Sequence, residues 1–150
     1  MKVGCQGWIW TSGMIHLLLI NLSVEASCMV WRSAQYVWNG RATVQSMNIQ
    51  MALDFLRHIA PFEQAPCPSL IMLATGAQGD WDATIIKQLR EVLAACGAPL
   101  VGLADTSRAM DRLHARRAPL DAVLLNPVQA DALQELAQAL KLNGPQMATA

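Results

Sequence analysis

Five short apolar runs punctuate the chain, and each is followed by a longer segment with helical spacing. The first run, Leu17-Leu18-Leu19-Ile20, leads into residues 23–38. There Val24, Cys28, Val30, Trp31, Ala34 and Trp38 recur at roughly the helical period of about 3.6 residues, which predicts an amphipathic helix. Ser23 suits the N-cap of that helix and Asn39-Gly40 its C-terminal stop. The second run, Ala42 to Met47, is weaker, with Val44 as its main apolar residue. Asn48 then caps a helix carrying Met51, Ala52, Phe55, Leu56 and Ile59, which ends at Pro61. The third run, Leu70 to Leu73, precedes a turn-rich stretch from Thr75 to Asp80. A helix with Ile85, Ile86, Leu89, Val92 and Leu93 follows, closed by Gly97. After the fourth run, Leu100 to Leu103, Thr106 or Ser107 caps a helix through Met110 and Leu113 that closes before Pro119. The fifth run, Ala122 to Leu125, ends in Asn126-Pro127. Asp131 and Gln134 form an expected capping pair for the last helix, which carries Leu133, Leu136, Ala137 and Leu140.

The runs are continuous rather than alternating, as strands buried on both faces require, and such strands belong to parallel sheets. Helical crossovers connect parallel strands with one hand. The expected fold is therefore α/β: a (βα)5 doubly wound parallel sheet of flavodoxin-like topology, with strand order 2-1-3-4-5. Residues 14–143 make one domain and residues 144–150 a short tail. Residues 1–13, with Trp8, Trp10 and Gly13, fall outside the repeating pattern. They are either an arm packing on the sheet edge or on a partner, or a disordered extension.

Composition narrows the function classes. Apolar residues make up 53% and charged residues 15%, which excludes a disordered tail, a fibre and a coiled coil. Lysine plus arginine equals aspartate plus glutamate at 11 each, so a broadly basic nucleic-acid binder is not expected. The longest apolar run, Met14 to Leu22, is too short to cross about 30 Å of hydrocarbon as a helix. No membrane contact is expected. A leader peptide can be drawn from Lys2, residues 8–22 and Val24-Glu25-Ala26, but it consumes the residues of the first strand. Cys5, Cys28, Cys67 and Cys96 show neither a CxxC nor a zinc spacing and are expected to be buried thiols of a reducing cytoplasm. No metal or cofactor is expected. His16, His58 and His114 lie in no arrangement that suggests an assembled nucleophile, so the chain is not expected to be an enzyme. Trp31 and Trp38 are seven residues apart on the first helix and are expected to share a face as core or dimer contacts.

The residues also resemble a known family. Leu17-Leu18-Leu19-Ile20-Asn21-Leu22-Ser23 resembles the first strand and following turn of response-regulator receiver domains. Ala52-Leu53-Asp54-Phe55-Leu56-Arg57 resembles the second helix of single-domain receivers of the phytochrome-associated kind. Pro68-Ser69-Leu70-Ile71-Met72-Leu73 is similar to their third strand, and Leu124-Leu125-Asn126-Pro127 to their fifth strand with its usual Lys-Pro ending. The resemblance covers residues 16–142. It implies a bacterial two-component signalling protein, and it also implies where phosphoryl chemistry would lie. The two acidic Mg²⁺-binding positions fall at Asn21 and Leu22, the phosphoacceptor aspartate at Ala74, the switch hydroxyl at Ala104 and the phosphate-binding lysine at Asn126. Every one of these positions departs from the family. Aspartyl phosphorylation needs a carboxylate nucleophile, an oxygen-ligated divalent ion and a cation near the phosphoryl group. A change of register recruits Asp105, Asp80 or Asp82 singly but does not restore the set.

The implied function is a degenerate receiver that binds another signalling protein, a kinase or effector, or a second copy of itself as a homodimer. On the fourth helix Arg108, Arg112 and Arg116 recur every four residues and share one side, with Arg117 beside them. Arginine suits bidentate contacts to carboxylates. An ordinary solvated helix face paired with Asp105 and Asp111 accounts for the same residues. The alternative function is binding of a small anion or nucleotide by the loop after the third strand, through Thr75, Gly76, Gly79 and Asp80. That loop would lie at the switch point of a doubly wound sheet, although ordinary turn chemistry also explains its glycines.

Overall fold

The computed structural model describes residues 14–59, 68–75, 83–94 and 97–142. Strands and helices alternate from the first described element to the last. They are β1 (Ile15–Ile20), α1 (Val24–Val37), β2 (Ala42–Met47), α2 (Ile49–Ile59), β3 (Leu70–Ala74), α3 (Ala83–Leu93), β4 (Leu100–Ala104), α4 (Ser107–Ala115), β5 (Ala122–Leu125) and α5 (Ala130–Ala139). The strands form one sheet in the order β2-β1-β3-β4-β5, with every pair parallel. This is the expected (βα)5 architecture.

The continuous apolar runs serve both faces of the sheet. Leu17, Leu19, Leu70, Met72, Val101 and Leu103 pack against α1 and α5. Leu18, Ile20, Ile71, Leu73 and Leu100 point the other way, against α2 and α3. Successive side chains of a strand alternate between faces, so a run without polar interruptions is what a sheet covered twice demands. A smaller apolar cluster holds α4 through Ala109 and Leu113.

Several local expectations hold at atomic detail. Ser23 Oγ accepts from the Ala26 amide and Thr106 Oγ1 from the Ala109 amide, each capping its helix. Asn48 Oδ1 accepts from the Met51 amide at the start of α2. Asn39 and Gly40 take positive φ of 53° and 79° and end α1, and Gly97 does so after α3 with φ 76°.

Other expectations are corrected. β1 begins at Ile15, two residues before the apolar run at Leu17, and His16 within it is only 2% exposed. The last helix has Gln129 as its N-cap, with no side-chain bond there, and Asp131 Oδ1 instead accepts from the neighbouring Ala132 amide. Met51 is exposed rather than buried on α2. On α1 the buried residues are Ala26, Val30, Ser33 and Ala34. Val24, Cys28 and Trp31 are exposed, so Cys28 is not the buried thiol expected of it. Cys5, Cys67 and Cys96 lie outside the described residues. Trp31 and Trp38 do not share an environment: Trp31 is exposed, whereas Trp38, the C-cap of α1, is buried. Its ring is buried and Nε1 donates to the Leu142 carbonyl. The physical reason for the α1 pattern is spacing. Its small residues let the helix approach the sheet and α5 closely, and Ser33 Oγ donates to the Val128 carbonyl across that contact at 2.9 Å. The larger apolar residues are left on the far side.

Candidate functional site

The carboxyl ends of the strands bring residues from four different strand–loop junctions to one rim. Asn21 follows β1, Thr75 follows β3, Asp105 follows β4 and Asn126 follows β5. Asn21 adopts a left-handed backbone, φ 63°, which asparagine tolerates better than most residues. Its amide donates to the Met47 carbonyl at 3.0 Å and its Oδ1 accepts from the Ile49 amide at 3.1 Å. The side chain therefore ties β1 to the start of α2. Leu22 is half-buried and packs on the apolar layer under α1.

Ala74 ends β3 and is half-buried. The Thr75 hydroxyl and amide both donate to the Leu103 carbonyl, at 2.9 and 3.0 Å. Ala104 is fully buried at the end of β4. The Asn126 amide donates to the Ala104 carbonyl at 2.8 Å, and Asn126 Nδ2 donates to Asp105 Oδ1 at 3.2 Å. The other side-chain atom of Asn126, Oδ1, is buried without a hydrogen-bond partner among the described residues.

This rim is assembled as a scaffold, with its polar groups turned to structural tasks. Mg²⁺ asks for near-octahedral oxygen donors at about 2.0–2.1 Å. Leu22 supplies none, and Asn21 Oδ1 already accepts from an amide. The residues present do not fit the ion. Among the described residues no group of three histidine, cysteine, aspartate or glutamate side chains is placed to hold a metal. The Asn126 amide carries no charge to meet a phosphoryl group. Of the expected ligand loop, Thr75 is described and its hydroxyl is engaged, while Gly76, Gly79 and Asp80 lie outside the described residues, as does Asp82.

The arginine cluster lies on and just beyond α4. Arg108 and Arg112 are within the helix, Arg116 is its C-cap and continues the right-handed turn, and Arg117 turns left-handed at φ 51°. Arg108, Arg116 and Arg117 are exposed and Arg112 is half-buried. The buried residues of this helix, Ala109 and Leu113, occupy the neighbouring arc.

His58 and His114 are exposed on their helices. His16 is buried in the sheet, with Nδ1 in hydrogen-bond contact with Thr43 Oγ1 on the adjacent strand. Burial lowers its pKa from 6.5 to about 4, because the interior disfavours the imidazolium. It is a neutral structural histidine at neutral pH.

One surface feature went unread in the sequence. Leu22, Val24, Cys28 and Trp31 form a groove with Val44 of β2, about 320 Å³ in volume. Val24 is 80% exposed and Trp31 53%. The signal was present: α1 carries two stripes, one small and one large, and only one of them can face the core.

No helix among the described residues is long and apolar enough to cross a membrane. No protein family's profile matches the sequence, and no curated protein matches it. Solved structures do match. A two-component response regulator from Cytophaga hutchinsonii is 16% identical, with a TM-score of 0.68 over 87% of this chain and 98% of the other. A response regulator in red light signalling of R. palustris is 15% identical, with a TM-score of 0.65 over 88% and 99%. A pilus assembly-related protein from Burkholderia pseudomallei is 16% identical, with a TM-score of 0.63 over 91% and 96%. In strand order, helix placement and extent, the chain has the fold of CheY-like response-regulator receiver domains.

Proposed function

We propose that this chain is a non-catalytic receiver-fold module of bacterial cytoplasmic signalling, one that binds a protein partner without being switched by phosphorylation. The observation that supports this reading is the rim at the strand ends, where Asn21, Leu22, Ala74, Ala104 and Asn126 lie at the positions to which the receiver resemblance assigns phosphoryl chemistry. The polar members of that rim serve as caps and strand ties. A carboxylate nucleophile is missing at Ala74, and a transferred phosphoryl group would meet no cation at Asn126. The structural neighbours include proteins named as response regulators and proteins named for pilus assembly, so the scaffold occurs in both settings.

The partner is a kinase, an effector or a second copy, and it meets the flank formed by α4, β5 and α5. Arg108, Arg112, Arg116 and Arg117 give that flank a cationic face suited to carboxylates. The test is a titration with Mg²⁺ and beryllofluoride, followed by backbone amide NMR. The expected result is no saturable shift at Ala74, Ala104 or Asn126. Saturable shifts there would mean that another carboxylate, Asp105 first, rebuilds a phosphoacceptor site, and the proposal would fall.

A further inference from the structure

Among the described residues, β2 pairs with β1 only and forms one edge of the sheet. The Ile15 amide donates to the Arg41 carbonyl and the Asn21 amide to the Met47 carbonyl, so the odd-numbered residues of β2 direct their backbone groups toward β1. Backbone groups alternate along a strand, which leaves those of Ala42, Val44 and Ser46 facing outward. Gln35 Nε2 donates to the Ala42 carbonyl at 2.7 Å, so the open part of the edge is Val44 and Ser46. β2 contains no proline and no charged residue, two common means of protecting an edge. Val44 and Ser46 also line the groove on the α1 side, together with Val24, Cys28 and Trp31.

We propose that this edge pairs with the same edge of a second copy, antiparallel, about a two-fold axis beside Gln45. The surface is distinct from the α4 flank, and the inference does not rest on the loss of phosphoryl chemistry. A two-fold contact presents one patch to itself, so the patch must be self-complementary. Hydrogen bonding selects the register. An axis at Val44 sets Ala42 opposite Ser46 and calls on the carbonyl that Gln35 already holds. An axis at Gln45 sets Val44 of each copy opposite Ser46 of the other, and these pairs exchange amide and carbonyl bonds without using Ala42.

Helix α1 fits the same axis. Ser27 Oγ donates to Ser46 Oγ at 3.3 Å and Gln35 reaches Ala42, so Trp31, midway between them, stands level with Val44. Each Trp31 therefore faces the groove of the other copy beside its Ser46. Pairing brings together the two apolar borders that hold Val24, 80% exposed, and Trp31, 53% exposed. The charged residues of α1 are Glu25 and Arg32, both exposed. A helix residue rises about half as far as a strand residue, which puts Glu25 level with Met47 and Arg32 level with Thr43. The axis at Gln45 exchanges those two levels. Glu25 of one copy thus stands level with Arg32 of the other, opposite in sign, and the uncharged strand sets no like charges face to face.

The test uses the full chain. Light scattering should give about twice the chain mass of 16.3 kDa. Ser46→Lys, a charge at an exposed edge position, should return the mass of one chain and leave the amide spectrum of the other strands unchanged. Next, the four cysteines are changed to serine and Gln45→Cys is added. Its thiols then sit at an opposed, non-hydrogen-bonded pair, with α carbons about 4.5 Å apart. Mild oxidation should link two chains there, whereas the control Arg108→Cys on α4 should stay unlinked. Exchange protection of the Val44 and Ser46 amides should fall on dilution. A single-chain mass for the unchanged protein overturns the proposal. Protection of those amides that does not vary with concentration also overturns it, by assigning the edge to another segment of the same chain. A dimer that survives Ser46→Lys, or that links through Arg108→Cys and not through Gln45→Cys, overturns it by placing the contact elsewhere.

Discussion

The two edges of the sheet are finished by different chemistry. At β5 the neighbouring α4 presents Arg108 and Arg116 to solvent beside a short strand whose last residue, Leu125, is 42% exposed. At β2 the neighbouring α1 presents Val24 and Trp31, and the strand itself has no charge. Both edges have unpaired backbone groups, yet one is bordered by cations and the other by apolar surface. A charged border keeps an edge hydrated and suits a polar, reversible partner, whereas an apolar border gains free energy by being covered. The α4 flank is therefore the better place to seek a signalling partner, and the β2 edge the better place to seek a permanent cover.

The largest expected effect breaks both edges at once. Leu19 is fully buried in the interior strand β1, within the layer that joins α1 to α5. Leu19→Ala should cost about 2–5 kcal/mol in denaturant unfolding, the usual range for a buried leucine. Amide exchange should then rise together in β2 and β5. A rise in β2 alone would mean that the two edges are stabilised independently.

A smaller effect separates the edges by pH. The His16–Thr43 contact joins β1 to β2, and folding lowers the histidine pKa from 6.5 to about 4. The unfolded chain therefore takes up this proton first on acidification. The contribution is complete above pH 6.5 and is lost as the pH falls toward about 4. The loss should be on the order of 2–3 kcal/mol. His16→Val should flatten that part of the stability-against-pH curve measured by urea unfolding. An unchanged slope would remove His16 as its source.

The smallest effect on stability is expected at the β5 flank. Exchanging both Arg112 and Arg116 for glutamate should shift stability by no more than about 0.5 kcal/mol, as is usual for surface positions. The same exchange should weaken self-association in light scattering or partner capture in pull-down. Unchanged association would take the α4 face out of the functional argument and leave β2 as the edge to pursue.

Much of the architecture was legible before the structure. Ser23, Thr106 and Gly97 signal helix ends through chemistry local to the chain, and each performs that role. The uninterrupted runs at Leu17 and Leu100 read as strands because burial on both faces leaves no polar alternation. The rim was less legible. Sequence shows that Ala74 and Leu22 lack the atoms for phosphoryl transfer, but not that Asn21 caps α2 or that the Thr75 hydroxyl donates to Leu103. Those bonds join residues about 28 positions apart, and no local pattern records them.

By itself, then, the sequence determined the order of elements and the parallel sheet. Each follows from residue type and short-range spacing. Tertiary structure decided which of the two stripes of α1 is buried. Helical spacing places both Val30 and Trp31 on an apolar arc. The close approach of α1 to the sheet and α5 admits Ala26, Val30, Ser33 and Ala34, and leaves Val24 and Trp31 outside. Packing distance is a property of two elements together, which one element's pattern does not contain.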